Sequence, residues 1–404
     1  MDEKRTIICF PGTLYDKRPF TNRQRVMQEM NKLGYRIIYV EPPKNLFIQL
    51  IKFILGLKKE QNTFKWLLRI LTGKERTTDF YIFSQLKFLP LKQKRFRKIN
   101  NKINSYFLVK YLDKLSVKNP FLWIYTPDAV DFIDWINNKS LIYDCVDEYS
   151  SQPWYIDNFD NIQFDEELLL KRANIVFTSA TKLYENKKKS NPNTFLIENV
   201  ADFNHFNKVL HTKKIIPNDI NDIKSPIIGF VGALDKYKLD YELVTFIAKN
   251  KSNWNIVLIG PHNEAEKNSS VHVLKEYDNI KLLGSKSFDE LPYYVNCFDV
   301  CIIPYVKNEY TEGCFPLKFF EYFSCGKPVV VSGLPALDKY SNYGIKASTN
   351  VEFIEKVESY ITFDDDNEKN RRIKLAKENT WNTKAIKMSK IIHDYEVSLE
   401  IRGE

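Results

Sequence analysis

Short apolar strands alternate with helical stretches twice along this 404-residue chain. In the first half the strands are TIICF (6–10), RIIYV (36–40), FLWIY (121–125) and SLIYDC (140–145). The pattern then restarts with PIIGFVG at 226–232. Apolar strands that alternate with helices are typical of parallel sheets covered on both faces. The sequence therefore predicts an α/β chain with two Rossmann-like sheets.

The length of the chain exceeds what one core ordinarily holds, so we expect two domains. The first is predicted over 1–205 and the second over 226–384. Residues 206–225 are polar and rich in lysine and asparagine, which is typical of a linker. Residues 385–404 are predicted to form a C-terminal helix that returns toward the first domain. We expect the two sheets to face each other across a cleft at the carboxyl ends of their strands.

The six cysteines and five histidines are scattered, without C-x-x-C or H-E-x-x-H spacing. This distribution predicts reduced thiols and no metal site. Four of the first five residues, MDEKR, are charged, and the apolar run behind them is too short for a signal peptide. We therefore expect a cytoplasmic protein that needs neither a metal nor another cofactor.

Positive charge is concentrated in one segment, 44–118, which holds 18 Lys/Arg against 4 Asp/Glu, while the whole chain carries +9. The segment includes LFIQLIKFILGL (46–57), too short for a membrane span of about 20 residues. Three interpretations are open: contact with an anionic membrane surface, core helices with snorkelling lysines, and a nucleic-acid patch. No RNA- or DNA-binding motif accompanies the charge, so we favour the membrane surface and expect no nucleic-acid partner.

The run FPLKFFEYFSCGKPVVVSG (315–333) predicts a helix that starts at Pro316 and ends near Gly326, followed by a strand. Lys318 and Glu321 share one face of this helix because they are three residues apart. The lysine lies in the first turn, where unpaired N–H groups favour a phosphate. The carboxylate one turn deeper can accept hydrogen bonds from sugar hydroxyls. The alternative is a surface ion pair worth about a few tenths of a kcal/mol.

Five motifs of the second half occur in a fixed order. They are GFVGAL (229–234) with Lys238 downstream, NIVLIGP (255–261), NIKLLGSKSFDELPYYVNCFDVCIIPY (279–305), PLKFFEYFSCGKPVVVSGLP (316–335) and ENTWNTKA (378–385). The series resembles the nucleotide-binding domain of two-Rossmann (GT-B) glycosyltransferases, particularly the large retaining group called family 4. The resemblance covers nearly all of residues 226–388 and implies a nucleotide-sugar substrate.

The resemblance also implies roles for individual residues. Glu321 looks like the glutamate that holds the ribose hydroxyls. Lys318, at the helix start with Pro316 and Leu317, looks like a contact to the diphosphate that takes part in catalysis. Lys238 is similar to a second lysine that pairs with the diphosphate. Gly229 and Gly232 correspond to the glycine turn that lets the backbone approach the diphosphate. The loop that contacts the edge of the base corresponds to Gly284, Ser285 and Lys286.

The loop before the motif helix departs from the family pattern, which places an acidic residue eight positions before the ribose glutamate. That position is Gly313, and Glu312 lies one residue further away. In one interpretation the loop accommodates one extra residue, and Glu312 reaches the donor sugar as a catalytic group. In the other, the backbone of Gly313 and Cys314 contacts the donor sugar instead. Phe315 completes the predicted sugar-contacting loop. Ala233 also stands where the family commonly has an arginine.

The first half resembles, more loosely, the acceptor domain of bacterial members that build surface polysaccharides. The matching residues lie in 18–43, 122–128 and 141–150. In related enzymes an aspartate in the loop after the strand at 140–145 has been assigned as the base that takes the proton of the acceptor hydroxyl. Asp147 is our candidate for this base. The alternative is that Asp144 and Asp147 cap the following turn.

Two arginines and one aspartate are predicted on the acceptor side. Arg18 and Arg23 could meet an anionic acceptor, although surface charge is an equally open interpretation. Asp144 ends the strand that precedes Asp147.

Taken together, the residues and the resemblance predict a hexosyltransferase. It would move a sugar from a nucleotide-sugar, UDP-linked by preference, to a lipid-linked or growing surface-polysaccharide acceptor. It would act in the cytoplasm, peripherally at the inner face of the plasma membrane. The alternatives are a sugar-nucleotide epimerase on the same fold and a non-catalytic protein that binds nucleotide-sugars.

Overall fold

A computed structural model describes residues 4–18, 20–45, 73–158, 160–213, 215–261 and 271–402. The chain divides into two compact units. Unit 1 comprises Met1–Ile197 and Ala385–Glu404, and unit 2 comprises Glu198–Lys384. The stretch that we predicted as a linker, 206–225, thus belongs to unit 2. The apolar run 46–57 of the basic segment lies outside the described residues.

Unit 1 is built on an eight-stranded sheet. Its strands are β1 (Thr6–Phe10), β2 (Arg36–Asn45), β3 (Lys74–Thr77), β4 (Phe80–Lys87), β5 (Phe121–Ile124), β6 (Ser140–Cys145), β7 (Ile175–Thr178) and β8 (Thr194–Leu196). They lie in the order β3-β4-β2-β1-β5-β6-β7-β8, and every pair is parallel except β3 and β4. The strand order reverses between β1 and β5, which is where such sheets bind ligands.

The helices of unit 1 connect successive strands. They are α1 (Asn22–Lys32), α2 (Lys94–Lys114), α3 (Pro153–Asn158), α4 (Ile162–Arg172) and α5 (Thr181–Lys188), with 3-10 helices at Pro127–Asp134 and Tyr149–Ser151. Every residue of β1, β5, β6 and β7 is buried. This burial explains why these strands read as continuous apolar runs in the sequence.

Unit 2 has a smaller, wholly parallel sheet of six strands. The strands are β9 (Ile227–Val231), β10 (Asn255–Ile259), β11 (Ile280–Gly284), β12 (Val300–Ile303), β13 (Val329–Ser332) and β14 (Lys346–Ala347). Their order is β11-β10-β9-β12-β13-β14, so the reversal falls between β9 and β12. The carboxyl ends of these two strands are therefore the expected place for a ligand in this unit.

The helices of unit 2 follow the same alternation. They are α6 (Phe203–Asn207), α7 (Tyr241–Asn250), α8 (Val271–Leu274), α9 (Leu291–Cys297), α10 (Glu309–Glu312), α11 (Leu317–Ser324), α12 (Asn350–Phe363) and α13 (Asp366–Glu378), with 3-10 helices at Lys208–Leu210 and Pro335–Tyr343. The motif helix predicted after Phe315 is α11.

The last helix, α14 (Trp381–Arg402), belongs to unit 1 from Ala385 onward. The hydroxyl groups of Tyr35 and Ser389 lie 3.1 Å apart. The buried carboxylate of Glu396 pairs with Arg5 at 2.9 Å and with Lys139 at 2.5 Å. These contacts confirm that the C-terminal helix packs on the first domain.

The predicted fold class is confirmed, because both units are Rossmann-like α/β sheets. The antiparallel strand β3 was not predicted. Its sequence, KERT, has no apolar residue and every position is exposed, so no hydrophobic pattern marks it.

Candidate functional site

The sheet of unit 2 opens where its strand order reverses. β9 and β12 pair only at Ile228 with Val300 and at Gly229 with Cys301, and they separate beyond that point. The N–H of Val231 has no partner on β12 and instead donates to the hydroxyl of Tyr322 on α11, at 2.8 Å. This buried hydrogen bond fastens α11 to the end of β9.

Helix α11 presents the predicted lysine and glutamate as a pair. The Nζ of Lys318 lies 2.5 Å from the Oε2 of Glu321. The exposed fraction is 19% for the lysine side chain and 9% for the glutamate side chain. Because α11 leads into the parallel strand β13, its first turn lies at the carboxyl edge of the sheet. A carboxylate can accept several hydrogen bonds, so Glu321 can hold a diol while it contacts the lysine.

The ends of the motif helix differ slightly from the prediction. Pro316 precedes the helix as the N-cap residue, with an extended backbone, rather than occupying the first helical position. At the other end, Gly326 has φ +72°, and the N–H groups of Gly326 and Lys327 donate to the carbonyls of Phe323 and Tyr322. Such a left-handed end favours glycine and explains why the helix stops there.

The glycine turns have separate physical causes. A Cβ on Gly229 would lie 2.0 Å from the ring of Phe298, so packing within the unit requires a glycine here. A Cβ on Gly260 would lie 1.8 Å from the carbonyl oxygen of Gly232, so the two backbones are in close contact after β9 and β10. Gly284 has φ +67° and open space around it. It permits the left-handed turn into Ser285.

The second predicted lysine, Lys238, lies beside two tyrosines. Its Nζ is 5.2 Å from the ring centroid of Tyr305 and 6.0 Å from that of Tyr310. Burial raises the pKa of Tyr305, and the lysine opposes that rise. Tyr305 follows β12, so the cation is held next to the point where the strand order reverses. Neither tyrosine was predicted as a site residue, although Tyr305 ends the motif at 279–305.

Lys286 of the predicted base-reading loop is held by an aspartate from the stretch that we took for a linker. Its Nζ lies 2.5 Å from Asp219, whose other oxygen accepts the hydroxyl of Tyr294 at 2.6 Å. Burial alone would raise the pKa of Asp219, but the hydrogen bonds from Lys286 and Tyr294 lower it. Asp219 is therefore a candidate site residue that the sequence did not reveal.

Of the predicted sugar-contacting loop, only Glu312 lies in the single turn α10, whose start Asn308 and Thr311 close with a capping box. Glu312 is partly exposed at its end, and Gly313 is the C-cap residue. Cys314 donates its thiol to the carbonyl of Tyr310 at 3.2 Å. Phe315 is buried and stacks on Phe320 with ring centroids 5.6 Å apart. Cys314 and Phe315 thus anchor the loop by packing.

In unit 1 the structure brings together two predicted acceptor-side residues. The guanidinium of Arg23 lies 3.8 Å from the carboxylate of Asp147 and donates to the hydroxyl of Tyr149 at 3.1 Å. Asp144 is almost fully buried at the end of β6. Arg18 is exposed and stacks over the ring of Phe20 at 3.5 Å, apart from any of these contacts.

The residue after Asp147 belongs to a buried charge network. Lys187 of α5 lies 3.0 Å from both Glu148 and Glu166, and Tyr143 donates its hydroxyl to Glu166 at 2.6 Å. Burial opposes the charge on Lys187, but the acidic groups around it outweigh burial and raise its pKa. The network ties the acidic loop to α4 and α5. It gives Glu148 a structural role and leaves Asp147 at the surface.

Within the described ranges, no group of three or more His, Cys, Asp or Glu side chains is placed to hold a metal ion. None of the helices in this part of the chain is long and apolar enough to cross a membrane.

Two sheets with this topology define a GT-B fold, and comparison with solved structures gives the same result. Sucrose-phosphate synthase from Thermosynechococcus elongatus aligns with a TM-score of 0.66, 11% identity, and coverage of 98% of this chain and 100% of that chain. HepE from Anabaena, solved with UDP and glucose, aligns with a TM-score of 0.64, 13% identity, and coverage of 97% and 100%. At these identities the likeness shows the fold alone.

Residues 225–362 match the family described as glycosyl transferases group 1. Bacillus subtilis (strain 168) TuaH, which carries a provisional name as a teichuronic acid biosynthesis glycosyltransferase, is 26% identical over 259 residues. That alignment covers 60% of this chain and 64% of TuaH, so the chain matches somewhat less than two thirds of its relative. The chain therefore has the GT-B fold, and its residues 225–362 match the group 1 glycosyltransferase family.

Replacing Lys187 with methionine is expected to destabilise unit 1. It would leave two buried carboxylates without their cation, which costs about 3 kcal/mol in comparable pairs. Urea denaturation would measure the change in the free energy of unfolding. The matched control is Lys182→Met, an exposed position of the same helix. Equal stability of the two variants would contradict the structural role of the network.

Proposed function

We propose that the chain is a hexosyltransferase that uses a UDP-sugar and a lipid-linked or growing surface-polysaccharide acceptor. The observation that carries the proposal is the Lys318–Glu321 pair at the carboxyl edge of a sheet that matches the group 1 family. The names of two similar proteins support its finer points. TuaH is named for teichuronic acid biosynthesis, and HepE was solved with UDP and glucose.

The donor would be held by unit 2. Glu321 accepts the ribose hydroxyls, while Lys318 and Lys238 contact the diphosphate. When the bond between the sugar C1 and the diphosphate oxygen breaks, negative charge grows on the departing UDP. Positive groups already in place stabilise that charge without reorganisation. The lysines and the first turn of α11 supply this charge themselves, so the proposal needs no metal ion.

The acceptor would be held by unit 1. Its hydroxyl oxygen forms the new bond to the sugar C1 and gives up its proton. Asp147 is the proposed proton acceptor, and Arg23 fixes its carboxylate from 3.8 Å away. A group that removes a proton must come within hydrogen-bond reach of it, and the partly exposed Asp147 allows that approach.

Glu321→Ala is expected to weaken UDP binding about 10- to 100-fold. Hydrogen bonds to a charged group contribute about 1.5–3 kcal/mol, and 1.4 kcal/mol corresponds to a tenfold change in Kd. Titration calorimetry with UDP measures the effect. Glu355→Ala, at an exposed position of α12, serves as the control. An unchanged Kd in Glu321→Ala would rule out the ribose assignment.

Asp147→Asn is expected to lower the rate of sugar transfer at least 100-fold while UDP affinity stays as in the parent protein. Loss of a positioned acid or base group typically costs about 10²–10⁴ in rate. The assay combines the protein, labelled UDP-sugars and bacterial membrane extract. The control is Asp157→Asn, at an exposed position of α3. A full transfer rate in Asp147→Asn would contradict the assignment as base.

The same assay with the parent protein separates the alternative functions. Label that moves into the lipid or polysaccharide fraction supports a transferase. An epimerised sugar-nucleotide formed without acceptor would indicate an epimerase. UDP-sugar binding without any conversion would indicate a binding protein.

We further propose that the protein works at the cytoplasmic face of an anionic membrane. None of its six cysteines, all of which lie in the described ranges, forms a disulfide, which suits a reducing compartment. In the described part of the basic segment, one face of α2 exposes basic residues together with two large apolar ones. These residues are Lys98, Ile99, Lys102, Tyr106 and Lys110. Their spacing of three or four places them side by side.

Reversing three charges on this face should weaken binding to anionic vesicles by at least tenfold. Each lysine near such a surface contributes about 1 kcal/mol. The variant is Lys98→Glu, Lys102→Glu, Lys110→Glu, and flotation with phosphatidylserine vesicles measures it. A control with the same charge change uses exposed lysines of unit 2: Lys249→Glu, Lys374→Glu, Lys377→Glu. Equal flotation of both variants would contradict a membrane role for α2.

A further inference from the structure

Unit 2 contains a cavity of about 340 Å³ at the edge of its sheet opposite the proposed donor site. Three of its lining residues, Pro226, Asp299 and Pro328, directly precede β9, β12 and β13. They therefore mark the amino ends of these parallel strands. The turn after α11 and the end of α12 complete the wall. The volume is within the range of small-molecule sites.

Two lysines line this cavity, and the carboxylates nearby are engaged elsewhere. Asp299 accepts the N–H of Ile227 at 2.6 Å. Asp364 pairs with Arg372 at 2.6 Å. Among the described residues, no carboxylate lies within ion-pair distance of Lys327 or Lys369. The cavity wall therefore includes two lysines that form no ion pair with a carboxylate of the described residues.

The structure fixes both lysines in place. Gly326 takes a left-handed conformation between α11 and β13, and its carbonyl accepts two hydrogen bonds from Arg372, at 3.1 and 2.9 Å. A Cβ on Gly326 would lie 2.8 Å from the Cγ of Lys369, so the stem of that lysine packs on the glycine. Lys327 follows directly in the chain. The turn thus brings both lysines to the wall of one cavity.

Burial without a counter-charge is unfavourable for an ammonium group. It lowers the pKa of Lys327, in spite of the opposing effect of the Asp299 carboxylate. An anion in the cavity would relieve this cost. Two lysines suit a phosphate group as point charges, and the prolines, with Tyr360, offer apolar wall to the rest of a small molecule.

We propose that this cavity binds a small phosphorylated metabolite through Lys327 and Lys369. The site is separate from the proposed donor site and goes beyond the proposed transfer reaction. The two sites lie at opposite ends of α11, since Lys318 is in its first turn and Lys327 follows its last.

Titration calorimetry with glucose 1-phosphate tests the proposal, using the full chain with saturating UDP to occupy the donor site. Binding with a Kd of millimolar or better is expected. Lys327→Met and Lys369→Met should each weaken it at least tenfold. Lys374→Met, an exposed position of α13, should leave it unchanged, and Lys327→Arg should largely retain it.

Thermal unfolding guards against misfolded variants. Glucose 1-phosphate should raise the Tm of the parent protein and of Lys374→Met, but not that of Lys327→Met. The proposal is overturned if the parent protein shows no binding at millimolar concentration. It is equally overturned if the folded Lys327→Met and Lys369→Met variants bind as the parent protein does.

Discussion

The separation of β9 from β12 is the constraint on which the proposed donor site depends. Two parallel strands that stay paired to their carboxyl ends leave no space for a ligand between them at that edge of the sheet. Here the pairing stops at Gly229 and Cys301, two residues before β9 ends. A buried N–H without an acceptor costs free energy, and the hydroxyl of Tyr322 accepts the hydrogen bond of Val231. One hydrogen bond thus satisfies the freed N–H and fastens the helix that carries Lys318 and Glu321.

Charged residues in both units form pairs, and the exposure of a pair decides how easily it can exchange partners. Lys318 must turn from Glu321 to reach a diphosphate. The lysine side chain of this pair is 19% exposed, although Glu321 itself is buried. The network around Lys187 is different. It is buried, and breaking it would strand two carboxylates. The first pair suits a binding site and the second suits a scaffold.

The sequence predicted the elements of the fold because buried strands and amphipathic helices each require a recognisable pattern of apolar residues. It also predicted that Lys318 and Glu321 share a face, since helix geometry fixes neighbours three residues apart. It could not reveal Asp219, which lies 67 residues from Lys286 and 75 from Tyr294. Nor could it reveal the bond between Tyr322 and Val231, which are 91 residues apart. Such partners are chosen by tertiary packing, and local pattern carries no signal for them.

The loop before α11 shows how backbone geometry can choose between two sequence hypotheses. One hypothesis assigns the contact with the donor sugar to the side chain of Glu312, and the other assigns it to the backbone of Gly313 and Cys314. In the structure the N–H of Gly313 donates to Glu309 at 3.3 Å, and that of Cys314 donates to Thr311 at 3.0 Å. These donors are already used within the turn. Glu312 keeps a partly exposed side chain at the end of α10, so we propose that side chain as the contact with the donor sugar.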